Sequence, residues 1–243
     1  MGALAEANTQ MSTRSPLATI AKRLGAGRSS RPDWHRDAVG GKWEVLGKLQ
    51  FDFLVAEGLT PEHYLLDIGC GSLRGGLHFI DYLAPGHYAG IEQNAEVLAA
   101  GTTELENAGV TDKDPQLAVR NDFAATGFGQ SFDFALAQSV FTHLTFNSIV
   151  RCLAEVDRVL KPGGRFYATF FASPGPRLHI EEMIRTGFPN AHVDRDPYYY
   201  DPDLFSWICE GSQLTCEYRG KWEHPGDSRM LVFTRQPARA HDG

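Results

Sequence analysis

The apolar positions change period several times along the chain, and each change marks an element. In "VGGKWEVLGKLQFDFLVAEGL", Trp43, Leu46, Leu49, Gln50, Phe53 and Leu54 fall at helical spacing. This predicts a helix over about Lys42 to Glu57, with Gly58 closing it and Gly40 and Gly41 as a flexible entry. Short apolar runs then alternate with helix-period segments. "HYLLDIG" (63–69), "HYAGIEQ" (87–93), "QLAVRND" (116–122), "FDFALAQSV" (132–140) and "RFYATFFA" (165–172) read as strands. Leu73 to Leu83, Ala95 to Ala108 and Asn147 to Leu160 read as helices, and "KPGG" reads as the turn before the fifth strand. Such alternation predicts an α/β fold with a mostly parallel sheet covered on both faces. The tail departs from it. A helix is expected around Arg177 to Thr186, and a short one from Asp203 inside the aromatic stretch "DRDPYYYDPDLFSWICEGS". "LTCEYRGKW" (214–222) and "SRMLVFTR" (228–235) are strands whose short "EHPGD" connection suits an antiparallel pair.

Composition narrows the class. A chain of 243 residues suits one α/β domain with an elaborated lid or a small appendage, and 42% hydrophobic residues provide a substantial core. No apolar run approaches the roughly 18 residues of a membrane span. A net charge of -7 argues against a large nucleic-acid surface. Arg14, Lys22, Arg23, Arg28 and Arg31 stand against Glu6 alone in the first 31 residues. That reads as a flexible basic arm, with a short helix at Pro16 to Leu24 and a second candidate start at Met11. The expected division is an arm over 1–38, a domain over 39–236 with 173–213 as a substrate-side lid, and a disordered tail over 237–243. Cys70, Cys152, Cys209 and Cys216 form no CxxC pair. Reduced, mostly buried thiols and the lack of an apolar leader point to the cytoplasm.

The candidate chemistry starts at "LLDIGCGSLRGG" (65–76), which follows a strand and opens a helix. Open α/β sheets bind ligands at the carboxyl ends of their strands. Gly69 and Gly71 fit the start of a G-x-G-x-x-G dinucleotide fingerprint, but Arg74 occupies the third glycine position, and no P-loop lysine follows. Asp67 at the strand tip disfavours an adjacent phosphate and suits an amine. Glu92 ends the next strand, where a carboxylate accepts from ribose hydroxyls. A ligand with a ribose, a free amine and no phosphate fits these acids, and S-adenosylmethionine is such a ligand.

The sequence here resembles the class I S-adenosylmethionine-dependent methyltransferases of small-molecule type. "LLDIGCGSLRGG" is similar to their first motif, "YAGIEQN" to the second and "RNDF" to the third. "FDFALAQSVFTHL" is similar to the fourth-strand motif with its loop, and "RVLKPGGRFYATFF" to the entry into the fifth strand. The order holds over residues 39 to 236. The resemblance implies a Rossmann-like, doubly wound, seven-stranded sheet with its last strand antiparallel. It implies that Gly69, Cys70 and Gly71 line the methionine and ribose portion of the cofactor, with Asp67 beneath the loop toward the amine. It places Glu92 on the ribose, Gln93 beside the adenine, Asp122 at the adenine amino group and Phe123 at its ring. Gln138 and Ser139 fall near the sulfonium. Arg74 either orients the loop or meets the cofactor carboxylate.

For methyl transfer to an alcohol or phenol, a base titrating near neutral pH helps. His143, in the "SVFTHL" loop after the fourth strand, is the candidate base; its other reading is structural, capping the next helix or holding the loop. His179, His192 and His224 stand in the tail with Glu181, Glu182, Asp194 and Asp196, but no helix presents a metal-ligand spacing, so no metal is expected. Tyr198, Tyr199 and Tyr200, with Phe205 and Trp207, either wall the acceptor pocket or form a satellite core. Trp43 and Gln50 either close the cofactor site or cover the sheet. The leading expectation is methyl transfer to a hydroxyl oxygen of a sugar or secondary metabolite, with S-adenosylhomocysteine as product. Transfer to nitrogen or carbon of another small molecule or a protein, and cofactor binding without catalysis, are the alternatives. Nucleic acid is disfavoured, since "AQSV" stands where an "NPPY"-like tetrapeptide would follow the fourth strand.

Overall fold

The computed structural model describes residues 31–174, 180–185, 191–192 and 194–237. Five parallel strands, β1 (Leu65–Ile68), β2 (Tyr88–Glu92), β3 (Gln116–Val119), β4 (Phe132–Ala137) and β5 (Leu160–Ala172), are followed by β6 (Tyr199–Tyr200), β7 (Leu214–Gly220) and β8 (Ser228–Arg235). They form one eight-stranded sheet in the order β3-β2-β1-β4-β5-β8-β7, with the two-residue β6 paired to the end of β5. β8 runs antiparallel to both its neighbours, β5 and β7. The Rossmann-like α/β architecture is therefore as expected, with the antiparallel last strand in place; the strand beyond the seven is β6.

Period-two alternation sorts the sheet into two cores. Leu66 and Ile68 of β1 face the cluster that holds Ile149, Cys152, Leu153 and Val156 of the helix Phe146–Val159. Leu65 faces the other cluster, with Leu54 of the helix Trp43–Ala56 and Phe79 and Ile80 of the helix Gly76–Tyr82. Both layers are needed because a parallel sheet leaves neither face to solvent. The helix Ala95–Ala108 has the limits its sequence announces. Asn94 Oδ1 accepts from the amides of Glu96 and Val97, and Gly109 takes φ 68° just past the end.

Several boundaries differ from expectation. The helix after the glycine loop begins at Gly76 rather than Leu73, because Leu73 itself adopts φ 66° and cannot continue a right-handed turn. "KPGG" lies inside β5 instead of preceding it. Leu160 already pairs with Phe132, and the register shifts before Arg165 pairs with Phe134, so the segment bulges out of the strand. Within the expected arm, Trp34–Ala38 forms a helix whose His35 is buried. Arg36 and His35 both reach Glu104 of the helix Ala95–Ala108, at 2.9 and 3.2 Å, which fixes this short helix on the domain. Ile180–Arg185 forms the core of the expected tail helix. The helix proposed at Pro16 to Leu24, residues 177–179 and 186, and the tail from 238 lie outside the described residues.

Candidate functional site

β1, β2 and β4 end side by side, and the chain turns sharply after each. Gly69 and Cys70 donate their amides to the Ile91 carbonyl at 2.8 and 3.1 Å, seating the glycine loop on β2. Gly69 and Gly71 have φ of 69° and 59°. A Cβ on either would lie 2.7 Å from a valine methyl, Val140 Cγ2 and Val39 Cγ1 respectively, so the backbone shape and the close approach both require glycine. A cavity of about 640 Å³ opens above this turn.

One end of the cavity is acidic. Asp67 is 4% exposed and accepts from the Tyr88 hydroxyl at 2.7 Å. Burial, aided by nearby Glu92 and opposed by the Tyr88 hydrogen bond and Arg74, pushes its carboxyl up to about 6. Glu92 accepts from the amides of Gly71 at 3.1 Å and Asn94 at 2.9 Å, and burial raises its carboxyl too. Both acids therefore carry negative charge at a desolvation cost that a cationic, hydroxyl-bearing ligand offsets. Arg74 is held the other way round. Its Nη1 donates to the carbonyls of Val39 at 2.7 Å and Gly41 at 3.0 Å, and burial lowers its guanidinium to about 10. Of the two roles expected for Arg74, the bonds made are those of a loop clamp, tying Val39–Gly41 over the glycine turn. Its Nε is buried on the cavity wall with no partner.

The other end is mixed. Ser139 has φ 57°, and its amide donates to Thr169 Oγ1 at 2.7 Å. Gln138 Nε2 donates to Ser139 Oγ at 2.7 Å and lies 3.4 Å from His224 Nε2. His143 closes a short 3-10 turn, Phe141–His143. Its Nδ1 stands 2.7 Å from Asp196 Oδ2, with the histidine side chain 34% exposed and the aspartate 12%. Thr142, Phe171, His192, Pro197 and His224 complete this wall.

Of the sequence candidates, Asp67, Gly69, Cys70, Gly71, Arg74, Glu92, Gln93, Phe123, Gln138, Ser139 and His143 line the cavity together. Asp122 does not; its Oδ1 accepts from the Ala124 amide and caps a local turn. Trp43, Tyr198, Tyr199 and Tyr200 do not line it either. Trp43 packs edge-on to His35 under the Arg36 guanidinium. Tyr200 donates to the Leu144 carbonyl and packs on the main core, and Tyr199 stacks behind the wall residue Phe171. Gln50 does line the cavity, bonding the Leu46 carbonyl at 3.0 Å. The wall also uses Asp37, Val39, Arg120, Asn121, Phe171, Asp196 and Pro197, none of which was assigned to it from sequence. Among the described residues no group of three or more His, Cys, Asp or Glu is placed to hold a metal.

The residues present fit S-adenosylmethionine. The turn is cleared of side chains, a buried and a part-buried carboxylate, Asp67 and Glu92, suit a ligand that carries an amine and a ribose, and Arg74 Nε is an orphaned buried donor. Comparison with known proteins agrees. Residues 66–168 match a family described as a methyltransferase domain. The chain is 28% identical over 158 residues to a demethylmenaquinone methyltransferase of Symbiobacterium thermophilum, covering 61% of this chain and only 55% of that protein. It is 22% identical to a ubiquinone biosynthesis O-methyltransferase of Hahella chejuensis, over 79% of this chain and 80% of that one. The fold is shared with the magnesium protoporphyrin IX methyltransferase of Synechocystis solved with bound S-adenosylhomocysteine. The TM-score is 0.59 at 15% identity, covering 90% of this chain and 94% of the other. The resemblance to class I S-adenosylmethionine-dependent methyltransferases is borne out.

Proposed function

We propose that this chain, whose residues 66–168 match a methyltransferase domain, transfers a methyl group from S-adenosylmethionine to a hydroxyl oxygen of a small molecule, a sugar or a secondary metabolite. The observation that carries this reading is the single cavity with a cofactor-like end at Asp67, Gly69, Gly71 and Glu92 and a histidine, His143, at the other. When bound, S-adenosylmethionine supplies an electrophilic methyl on a sulfonium whose departure leaves a neutral thioether.

The chain's own residues do the rest. The Gly69–Gly71 backbone lets the ligand approach closely, and Glu92 accepts from ribose hydroxyls while it braces the Gly71 amide. Asp67 faces the ammonium group. Gln93 and Phe123 flank the base, and the Val39–Gly41 loop, clamped by Arg74, shields the site from water. Holding acceptor and methyl donor in one water-poor pocket supplies proximity, a large share of the acceleration in a bimolecular displacement. His143 takes the acceptor proton. The acceptor wall offers hydrogen-bonding groups at Gln138, Thr142, His192 and His224 beside the flat apolar surfaces of Phe171 and Pro197. That combination suits a hydroxylated ring, and the relative named as a ubiquinone biosynthesis O-methyltransferase supports an oxygen acceptor.

The test is S-adenosylhomocysteine formation by the purified protein with a panel of catechol, hydroquinone, methyl glucoside and the amines aniline and glucosamine, alongside calorimetric binding of S-adenosylmethionine. Binding with turnover on at least one hydroxyl acceptor is expected. No binding at millimolar cofactor overturns the whole reading; binding with turnover only on amine acceptors overturns the oxygen assignment.

A further inference from the structure

We propose that Asp196 is the positioning residue for His143: it holds the imidazole with the proton on Nδ1, so that Nε2 is the nitrogen that takes the acceptor proton. This deepens the methyltransferase reading and rests on it. Three observations carry it. The Nδ1 to Oδ2 distance of 2.7 Å is that of a strong, charge-assisted hydrogen bond. Both residues line the same cavity, and the aspartate is the more buried partner, with 12% of its side chain exposed against 34% for His143. They also come from different parts of the chain, and the contact between their segments is reinforced: the Tyr198 amide donates to the Thr142 carbonyl at 2.8 Å, one residue from His143 and two from Asp196. A histidine that merely caps the following helix needs no such partner. The cap residue of that helix is Thr145, not His143.

The chemistry follows from which nitrogen is occupied. A carboxylate accepts and does not donate, so the nitrogen it faces must carry a hydrogen. In the neutral imidazole the remaining nitrogen, Nε2, is then the lone-pair acceptor. As the acceptor's O–H bond breaks, its proton forms the new N–H bond at Nε2, and the electron pair left on oxygen would make the bond to the methyl, whose bond to sulfur would break with its electron pair left on sulfur. The imidazolium formed is balanced by Asp196, which stays ionised throughout. Replacing Asp196 by asparagine reverses the preference, because the amide NH2 donates to Nδ1 and drives the proton onto Nε2, where it blocks the reaction.

The experiment is a long-range proton–nitrogen NMR spectrum of the histidine rings at pH 8 in the full chain with S-adenosylhomocysteine, the His143 signals being assigned by their loss in H143Q. The wild type is expected to show the Nδ1–H tautomer and D196N the Nε2–H tautomer. On the catechol, hydroquinone and methyl glucoside panel, D196N is expected to lose about 10²–10⁴-fold in kcat, the usual worth of a general base, with KM and cofactor affinity little changed. D196E restores part of both signals. Unaltered cofactor binding by D196N shows that the variant is folded. An Nε2–H tautomer in the wild type, or an unchanged tautomer or kcat in D196N, overturns the proposal. Failure of the wild type itself to bind S-adenosylmethionine overturns the methyltransferase reading instead, and the tautomer result then still decides whether Asp196 sets the state of His143.

Discussion

Asp67 gives the most quantitative expectation. It sits at the third position of β1, between β2 and β4, with Tyr88 as its hydroxyl donor. Burial lifts its carboxyl from 3.8 to about 6. An acid whose folded value is raised holds its proton in the native state at a pH where the unfolded chain has lost it. Native stability therefore falls as pH rises between 3.8 and about 6, and the full penalty persists above that window. At about 1.4 kcal/mol per unit, a rise of this size amounts to about 3 kcal/mol. A cationic ammonium beside Asp67 favours its ionised form. Cofactor affinity is therefore expected to increase as pH rises through about 6, with proton release on binding in that range.

The perturbation is D67N, which keeps an acceptor for Tyr88 and removes the charge. At pH 7.5 the variant is expected to bind S-adenosylmethionine about tenfold more weakly, the worth of about 1.4 kcal/mol for one partly solvated charge pair. At pH 5, where the wild-type carboxyl is protonated, the two proteins are expected to bind alike. Glu92 is also raised by burial and shares the cavity, so the difference between the proteins, not the wild-type curve alone, isolates Asp67. Calorimetry at both pH values, repeated in two buffers of different ionisation enthalpy, measures affinity and proton release together. A wild-type to D67N affinity ratio that does not change between pH 5 and 7.5 refutes the placement of a cationic group beside Asp67. Loss of wild-type stability with pH that D67N reproduces refutes the linkage.

Other expectations follow from the same contacts. E92A removes the acceptor for two backbone amides and, on the proposed function, for the ribose, so S-adenosylhomocysteine affinity should fall about 100-fold by calorimetry, and E92Q, which keeps one carbonyl oxygen, about tenfold. R74K replaces the planar Nη1, which donates to both the Val39 and Gly41 carbonyls, by an ammonium on a shorter side chain; cofactor affinity should drop severalfold, with faster dissociation in stopped flow as the loop loosens. G71A forces a Cβ within 2.7 Å of Val39 Cγ1 at a positive φ and should cost about 1–3 kcal/mol in a denaturant melt. Y200F loses the bond to the Leu144 carbonyl and should cost about 1 kcal/mol in the same melt while leaving the acceptor KM unchanged; a raised acceptor KM would return Tyr200 to the acceptor pocket.

The glycine-loop end of the cavity was legible in the sequence because its determinants are local. The helix Ala95–Ala108 carries its own start at Asn94 and its own stop at Gly109. The positions of Gly69, Gly71 and Glu92 follow from strand ends that periodicity already marks, and adjacency of β1 and β2 brings them together. Asp122 shows where local reading fails. It stands one residue from a true wall residue, Phe123, but Phe123 takes φ 61°, and the reversal turns the aspartate back onto its own turn.

The His143 end of the cavity was not legible because it is made by contacts between distant segments. Three consecutive tyrosines suggest a wall, yet Tyr199 and Tyr200 form a strand, where successive side chains point to opposite faces. Tyr200 goes to the core and Tyr199 behind Phe171, so the run cannot present a common surface. What β6 supplies to the site is position. By pairing with Phe171 and Ala172 at the end of β5, it draws the preceding residues across the ends of the strands and brings Asp196 to His143, 53 positions earlier in the chain. The aromatic stretch that looked like a pocket wall is thus the anchor of the segment that completes this end of the cavity. A substitution there that loosens β6 is expected to act through the His143–Asp196 pair, lowering turnover before it lowers cofactor affinity.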